Sequence, residues 1–134
     1  SDRPRNRMEK NIMDTEVTAN PKDRIGIKKP SVWAVPMTTV YIMGQAMLDG
    51  MRKYGLFNWR EHEVRADIYI EAARRHLNAW AAMEEKAEDS GVHHLGHAMA
   101  CMAILLDAQQ NDKLVDNRMP DPAYLKWIKE QTDV

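Results

Sequence analysis

The sequence predicts an all-α fold, a helical bundle around a central antiparallel helical hairpin with an irregular N-terminal segment. Three observations carry that prediction. The stretch VRADIYIEAARRHLNAWAAMEEKA, residues 64–87, has no interior Gly or Pro and is rich in Ala, Leu, Glu and Arg, all good helix formers. A second stripe, Leu95, Ala98, Met99, Met102, Leu105 and Leu106, repeats at helical spacing just beyond it. Strand-like runs of Val, Ile and Thr are scarce, and ten methionines against one phenylalanine suit an adaptable helical core.

In chain order, residues 1–20 are polar and charged and predict a mobile tail, leaving 21–134 as one domain. The segment 20–36, NPKDRIGIKKPSVWAVP, holds three prolines and a glycine and predicts irregular backbone. It is also basic, through Lys22, Arg24, Lys28 and Lys29. A first helix is expected from Met37 to Tyr54, stopped by Gly55. LFNWREHE follows as a loop with two aromatics. The second helix is expected over Val64–Ala87, broken by Asp89-Ser90-Gly91. The third spans His93–Gln110, NDKLVDNRMPDP is loop, and a short fourth helix covers Ala123–Gln131.

The net charge of -1 gives no electrostatic reason to expect nucleic-acid or membrane binding. No stretch approaches the roughly 18 apolar residues of a membrane span, and no signal-peptide apolar region is seen. Cys101 is the single cysteine, so no intrachain disulfide forms and a reducing compartment is expected.

The chemistry concentrates in GVHHLGHAM, residues 91–99, which holds three of the five histidines. On a helical wheel His93, His97, Ile104 and Asp107 share a stripe opposite the apolar one, with His94 beside it. These histidines are therefore expected off the core face. On the second helix Asp67, Glu71, Arg75 and Asn78 share one face, and His76 points away from them. In an antiparallel hairpin turning near residue 89, facing positions sum to roughly 179. That sets Glu84 and Glu85 near His94 and His97, and Glu71 near Asp107. Facing carboxylates and imidazoles are how helical bundles hold divalent metals, with carboxylates favouring Mg or Mn. The plainer readings stay open. A charged helix face is ordinarily just solvated, and H-x-x-H is a weak motif alone. Trp33, Trp80 and Trp127 suit packing. Trp59 differs, because it sits in a loop with Asn58, Tyr54 and Lys53 nearby and can serve as a nucleobase platform.

NPKDRIG, KYGLFNWRE, YIEAARRHLNAW, EEKAEDSGVHHLGHAMACMAILLDA and DNR, in that order, resemble the phage dATP/dGTP diphosphohydrolase family. That family is an offshoot of the MazG-like all-α nucleotide pyrophosphohydrolases. The resemblance covers about residues 20–120 and is strongest to members from cyanophages whose DNA carries 2-aminoadenine. It implies cleavage of dGTP, and of GTP, to the monophosphate and pyrophosphate, with two or more Mg or Mn ions. It implies a dimer or tetramer in the cytoplasm of an infected bacterial host, working beside an adenylosuccinate-synthetase-like enzyme that consumes dGMP. The family's ligand set does not carry over intact onto this chain: Glu71 is the leading expected metal ligand, with Asp107, Glu84, His94 and His97 next, and Glu71, Arg75, His94 and His97 are the expected catalytic groups. Lys53, Tyr54, Asn58, Trp59, His76, Lys22 and Lys28 become substrate contacts, with Lys22, Lys28 and Lys29 on a lid over the phosphates. The chain departs from the MazG pattern of E-x-x-E and E-x-x-D. HLGH stands at the second motif, and Glu71 alone at the first. Two rival functions remain, a non-catalytic helical assembly or binding module and a nucleotidase releasing orthophosphate. The absence of an H…HD…D pattern argues against HD-type hydrolases.

Overall fold

Helix-forming composition and a break at Gly55 give the longest element. Helix α2, Met37–Tyr54, has the expected bounds and ends at Gly55, whose φ of 96° needs glycine. The computed structural model describes residues 20–131, so the expected tail up to residue 19 lies outside the described residues. The chain divides into two units between Pro36 and Met37. In the first unit, the segment read as irregular contains helix α1, Pro21–Gly26, capped by the Asn20 side chain, and a 3-10 turn at Val32–Ala34.

The second unit is the helical bundle. After α2 come a short helix α3, Asn58–Glu61, within the expected loop, and strand β1, Val64–Arg65. Helix α4 is Ala66–Ala81, α5 is His94–Gln110, β2 is Leu114–Val115, and α6 is Pro122–Glu130, with Asp121 as its N-cap. α4 and α5 form the central hairpin and α2 packs against α5. β1 and β2 pair in parallel, Val64 opposite Leu114. This pairing was not expected, because two-residue strands are too short to show alternation. It buries Val64, the largest fully buried side chain among the described residues.

α4 is six residues shorter at its C-terminus than the sequence suggests. Its end is a Schellman arrangement in which Glu84 N–H donates to the Ala79 carbonyl (3.0 Å) and Met83 N–H to the Trp80 carbonyl (2.9 Å). The left-handed position that such a cap needs is filled by Met83, φ 76°, where Gly or Asn is usual. Residues 84–93 then make a tight excursion, with Lys86 bridged antiparallel to His93 and Ala87 N–H bonded to the Val92 carbonyl. His93 is the N-cap of α5, its Nδ1 accepting from Leu95 N–H at 3.0 Å.

α5 also corrects the expected core. Its buried residues are His94, Gly96, Ala98, Ala100 and Ala108, whereas Met102 and Leu106 are exposed. The small residues face inward because α2 crosses closely. A Cβ on Gly96 would lie 2.7 Å from Ile42 Cγ2 and 2.9 Å from the Ile42 carbonyl oxygen. His94 thus lies on the core face, not off it, and a buried imidazole must find polar partners.

Candidate functional site

The last turns of α2, the start of α3, the middle of α4 and the first half of α5 enclose a cavity of about 260 Å³. α2 supplies Asp49, Lys53 and Tyr54, and α3 supplies Asn58 and Trp59. α4 supplies Tyr69 and His76, the 84–93 excursion supplies Asp89, and α5 supplies His97 and Cys101. One helical turn places Asp49 beside Lys53, with Nζ 3.0 Å from Oδ2, and Asp89 approaches the same ammonium at 3.6 Å. The Asp49 hydrogen bond raises the Lys53 pKa. The Ser90 backbone N–H, with help from Lys53, lowers that of Asp89. Burial pushes the Tyr69 hydroxyl and the Cys101 thiol up, so Cys101 is a poor nucleophile.

Behind the cavity wall the histidines form a connected cluster. His94 is only 5% exposed. Its Nε2 lies 2.6 Å from Glu84 Oε1 and its Nδ1 lies 2.9 Å from His76 Nδ1. The His76 ring stacks on His97, with centroids 4.5 Å apart and planes 16° apart. His97 Nε2 meets Ser90 Oγ at 2.7 Å, while His93 Nε2 pairs with Glu85 at 3.2 Å. Burial lowers the pKa of both His76 and His97, with neighbouring imidazoles adding to the effect at His76. Both rings are therefore shifted toward the neutral form.

Lys53, Tyr54, Asn58, Trp59, His76 and His97 thus share one cavity. Others do not join them. His94 and Glu84 lie behind the wall and bond to each other. Glu71 and Arg75 are exposed and pair at 3.9 Å on the outer face of α4, beside Asp67, Asn78 and Arg118. Five helical positions separate Glu71 from His76, about 140° of rotation, which turns Glu71 away. Asp107 is ten residues beyond His97, about 15 Å along the helix. It is clamped by Arg60 through Nε and Nη2, each at 2.6 Å, which lowers its pKa. The expected metal ligands Glu71, Glu84, His94, His97 and Asp107 are therefore not one site. Among the described residues, no group of three or more His, Cys, Asp or Glu is arranged to hold a metal ion. Lys22 and Lys28 are exposed residues of the first unit.

Two cavity carboxylates escaped the sequence reading. Asp49 carried a usable signal, its position four residues before Lys53. Asp89 stands in the turn Asp89-Ser90-Gly91, which is legible only as a helix breaker.

The family model described as dATP/dGTP diphosphohydrolase, N-terminal, matches residues 19–118, covering the cavity and the histidine cluster. No curated protein and no solved structure matches the chain.

Proposed function

The chain belongs to the dATP/dGTP diphosphohydrolase family, hydrolases acting on nucleoside triphosphates, and we propose that it converts dGTP, and GTP, to the monophosphate and pyrophosphate in the Lys53–Trp59–His76 cavity. The observation that carries this reading is the meeting of an ammonium, two imidazoles, an indole and an amide on one cavity. Lys53 is suited to phosphate oxygens, and Trp59 with Asn58 and Tyr54 to a base. At about 260 Å³ the cavity falls just below common ligand pockets, roughly 300–1,000 Å³, so part of the nucleotide extends beyond it.

The five residues expected to hold metal do not fit that role together. Charge balance still supports a divalent requirement. Two carboxylates, Asp49 and Asp89, stand against one ammonium, so a triphosphate needs accompanying cations to enter. Mg binds triphosphate sites through one or two carboxylates plus the phosphates themselves, without a complete protein cage. Mg or Mn arriving with the substrate is part of the proposal. So is a homo-oligomer, supported by large apolar side chains left exposed on α4 and α5, including Leu77, Met102 and Leu106. The guanine preference, the cyanophage 2-aminoadenine setting, the host cytoplasm and the adenylosuccinate-synthetase-like partner rest on the motif resemblance. No helix of the described residues is long and apolar enough to cross a membrane.

The test is incubation with each dNTP and GTP, with Mg, Mn or a chelator, and separation of products by chromatography. Metal-dependent dGMP and pyrophosphate are expected. Orthophosphate would indicate a nucleotidase, and no turnover a binding or assembly module. Lys53→Ala is expected to lower kcat/KM about a hundredfold, since a charge-assisted phosphate contact contributes about 2–3 kcal/mol. An unchanged kcat/KM would move the phosphates elsewhere.

A further inference from the structure

We propose that Glu84, His94 and His76 form a proton relay, in which His76 is the cavity's general base and the other two are positioning residues. The proposal rests on the hydrolytic reading above and deepens it.

A carboxylate only accepts, so the 2.6 Å contact with Glu84 requires the hydrogen on His94 Nε2. In the proposed resting state both rings are neutral; the other nitrogen of a neutral imidazole is bare, so His94 Nδ1 accepts. Its partner at 2.9 Å is His76 Nδ1, and two ring nitrogens in contact share one hydrogen, so His76 supplies it. A neutral His76 with its hydrogen on Nδ1 has a bare Nε2. Among the described residues that nitrogen has no hydrogen-bond partner, and His76 lines the cavity while His94 does not. Stacking on His97, itself tied to Ser90, holds the His76 ring against rotation.

The relay moves one proton per turnover. As a water oxygen bonds to phosphorus and the bond to the pyrophosphate leaving group breaks, the water proton goes to His76 Nε2. The Nδ1 hydrogen of His76 passes to His94 Nδ1, and the resulting imidazolium is paired with the Glu84 carboxylate. Pyrophosphate leaves with the electron pair of the broken bond. The hops then reverse: His94 Nδ1 returns the hydrogen to His76 Nδ1, and His76 Nε2 releases its proton to the departing pyrophosphate or to cavity water, which restores both starting tautomers.

Two readouts on the full chain test this. Nitrogen-15 NMR of the histidine rings should find His76 with its hydrogen on Nδ1 and His94 with its hydrogen on Nε2. In Glu84→Gln the amide both donates and accepts, so mixed tautomers are expected at both rings. A His76 hydrogen on Nε2 in the wild type, or tautomers unmoved in E84Q, would overturn the relay. With dGTP and Mg or Mn, E84Q and His94→Gln should lower kcat about 10- to 100-fold with KM within about twofold, and His76→Gln about 10²- to 10⁴-fold. An unchanged kcat in E84Q would also overturn it. E84Q keeps an exposed position polar and so preserves the fold should H94Q fail to. A wild type without turnover overturns the hydrolytic reading instead, and the tautomers then decide the hydrogen-bond chain alone.

Discussion

The α4–α5 hairpin presents two contrasting surfaces. Around the histidines, every buried side-chain polar atom among the described residues has a partner, and Glu84, His94, His76, His97 and Ser90 form one continuous chain of contacts. On another side, Ile42, Ile70, Leu77, Met99, Met102 and Leu105 border a groove of about 570 Å³, with Leu77 and Met102 about half exposed. The polar surface is complete within one chain. The apolar one is open, and among the described residues the buried apolar ones are alanines plus Val64. Polar complementarity thus fixes how α4 and α5 meet, while large apolar side chains stay open along the groove.

The sharpest way to break this contrast is Met102→Glu. If a second copy covers the groove, an unpaired carboxylate there costs several kcal/mol, roughly 4, and weakens association about a thousandfold. Analytical ultracentrifugation should then find a smaller species than wild type, with the histidine tautomers unchanged. Equal sedimentation of wild type and M102E would mean that the groove is open to water and the second copy sits elsewhere.

Gly96 joins the two surfaces, since it lies between His94 and Ala98 on the buried face of α5 and against Ile42 of α2. Gly→Ala inside a helix ordinarily stabilises by about 1 kcal/mol. Here the sign should reverse. The added Cβ meets a backbone oxygen at 2.9 Å, which cannot swing aside as a side chain can, and overpacking costs about 1–3 kcal/mol. Because α2 also carries Asp49 and Lys53, Gly96→Ala should reduce turnover along with stability in a denaturant titration. A more stable G96A would show that α2 slides without loss and that the cavity does not depend on this crossing.

What the sequence made legible follows the range of each interaction. Helix α2 was readable at both ends because Gly55 marks its stop locally. Lys53, Tyr54, Asn58 and Trp59 come from a single short stretch, and the hairpin brings His76 and His97 to it. The pairing sum also set Glu84 by His94, and the two are in contact. The same sum set Glu71 by Asp107, but Asp107 is claimed by Arg60, 47 residues away. Periodicity marks faces and neighbours along a helix. It has no term for a competing cation from another element, nor for a close helix crossing that turns small residues inward and large ones out.

The smallest expected effect concerns the end of α4, where the sequence signal failed. Met83 occupies the left-handed position of the cap with its side chain 84% exposed. A Cβ there costs about 1–2 kcal/mol, and glycine removes that cost while adding some unfolded-state entropy. Met83→Gly should therefore stabilise by about 0.5–1 kcal/mol, raising Tm by a few degrees, roughly 3 °C. Met83→Ala retains the Cβ and should give little gain. Both variants leave the Glu84 carboxylate on its chain position, so a stabilised M83G with unchanged histidine tautomers separates the helix end from the cluster that follows it. A destabilised M83G would mean that the thioether side chain is covered in solution. The end of α4 would then belong with the incomplete apolar surface and not with the polar one.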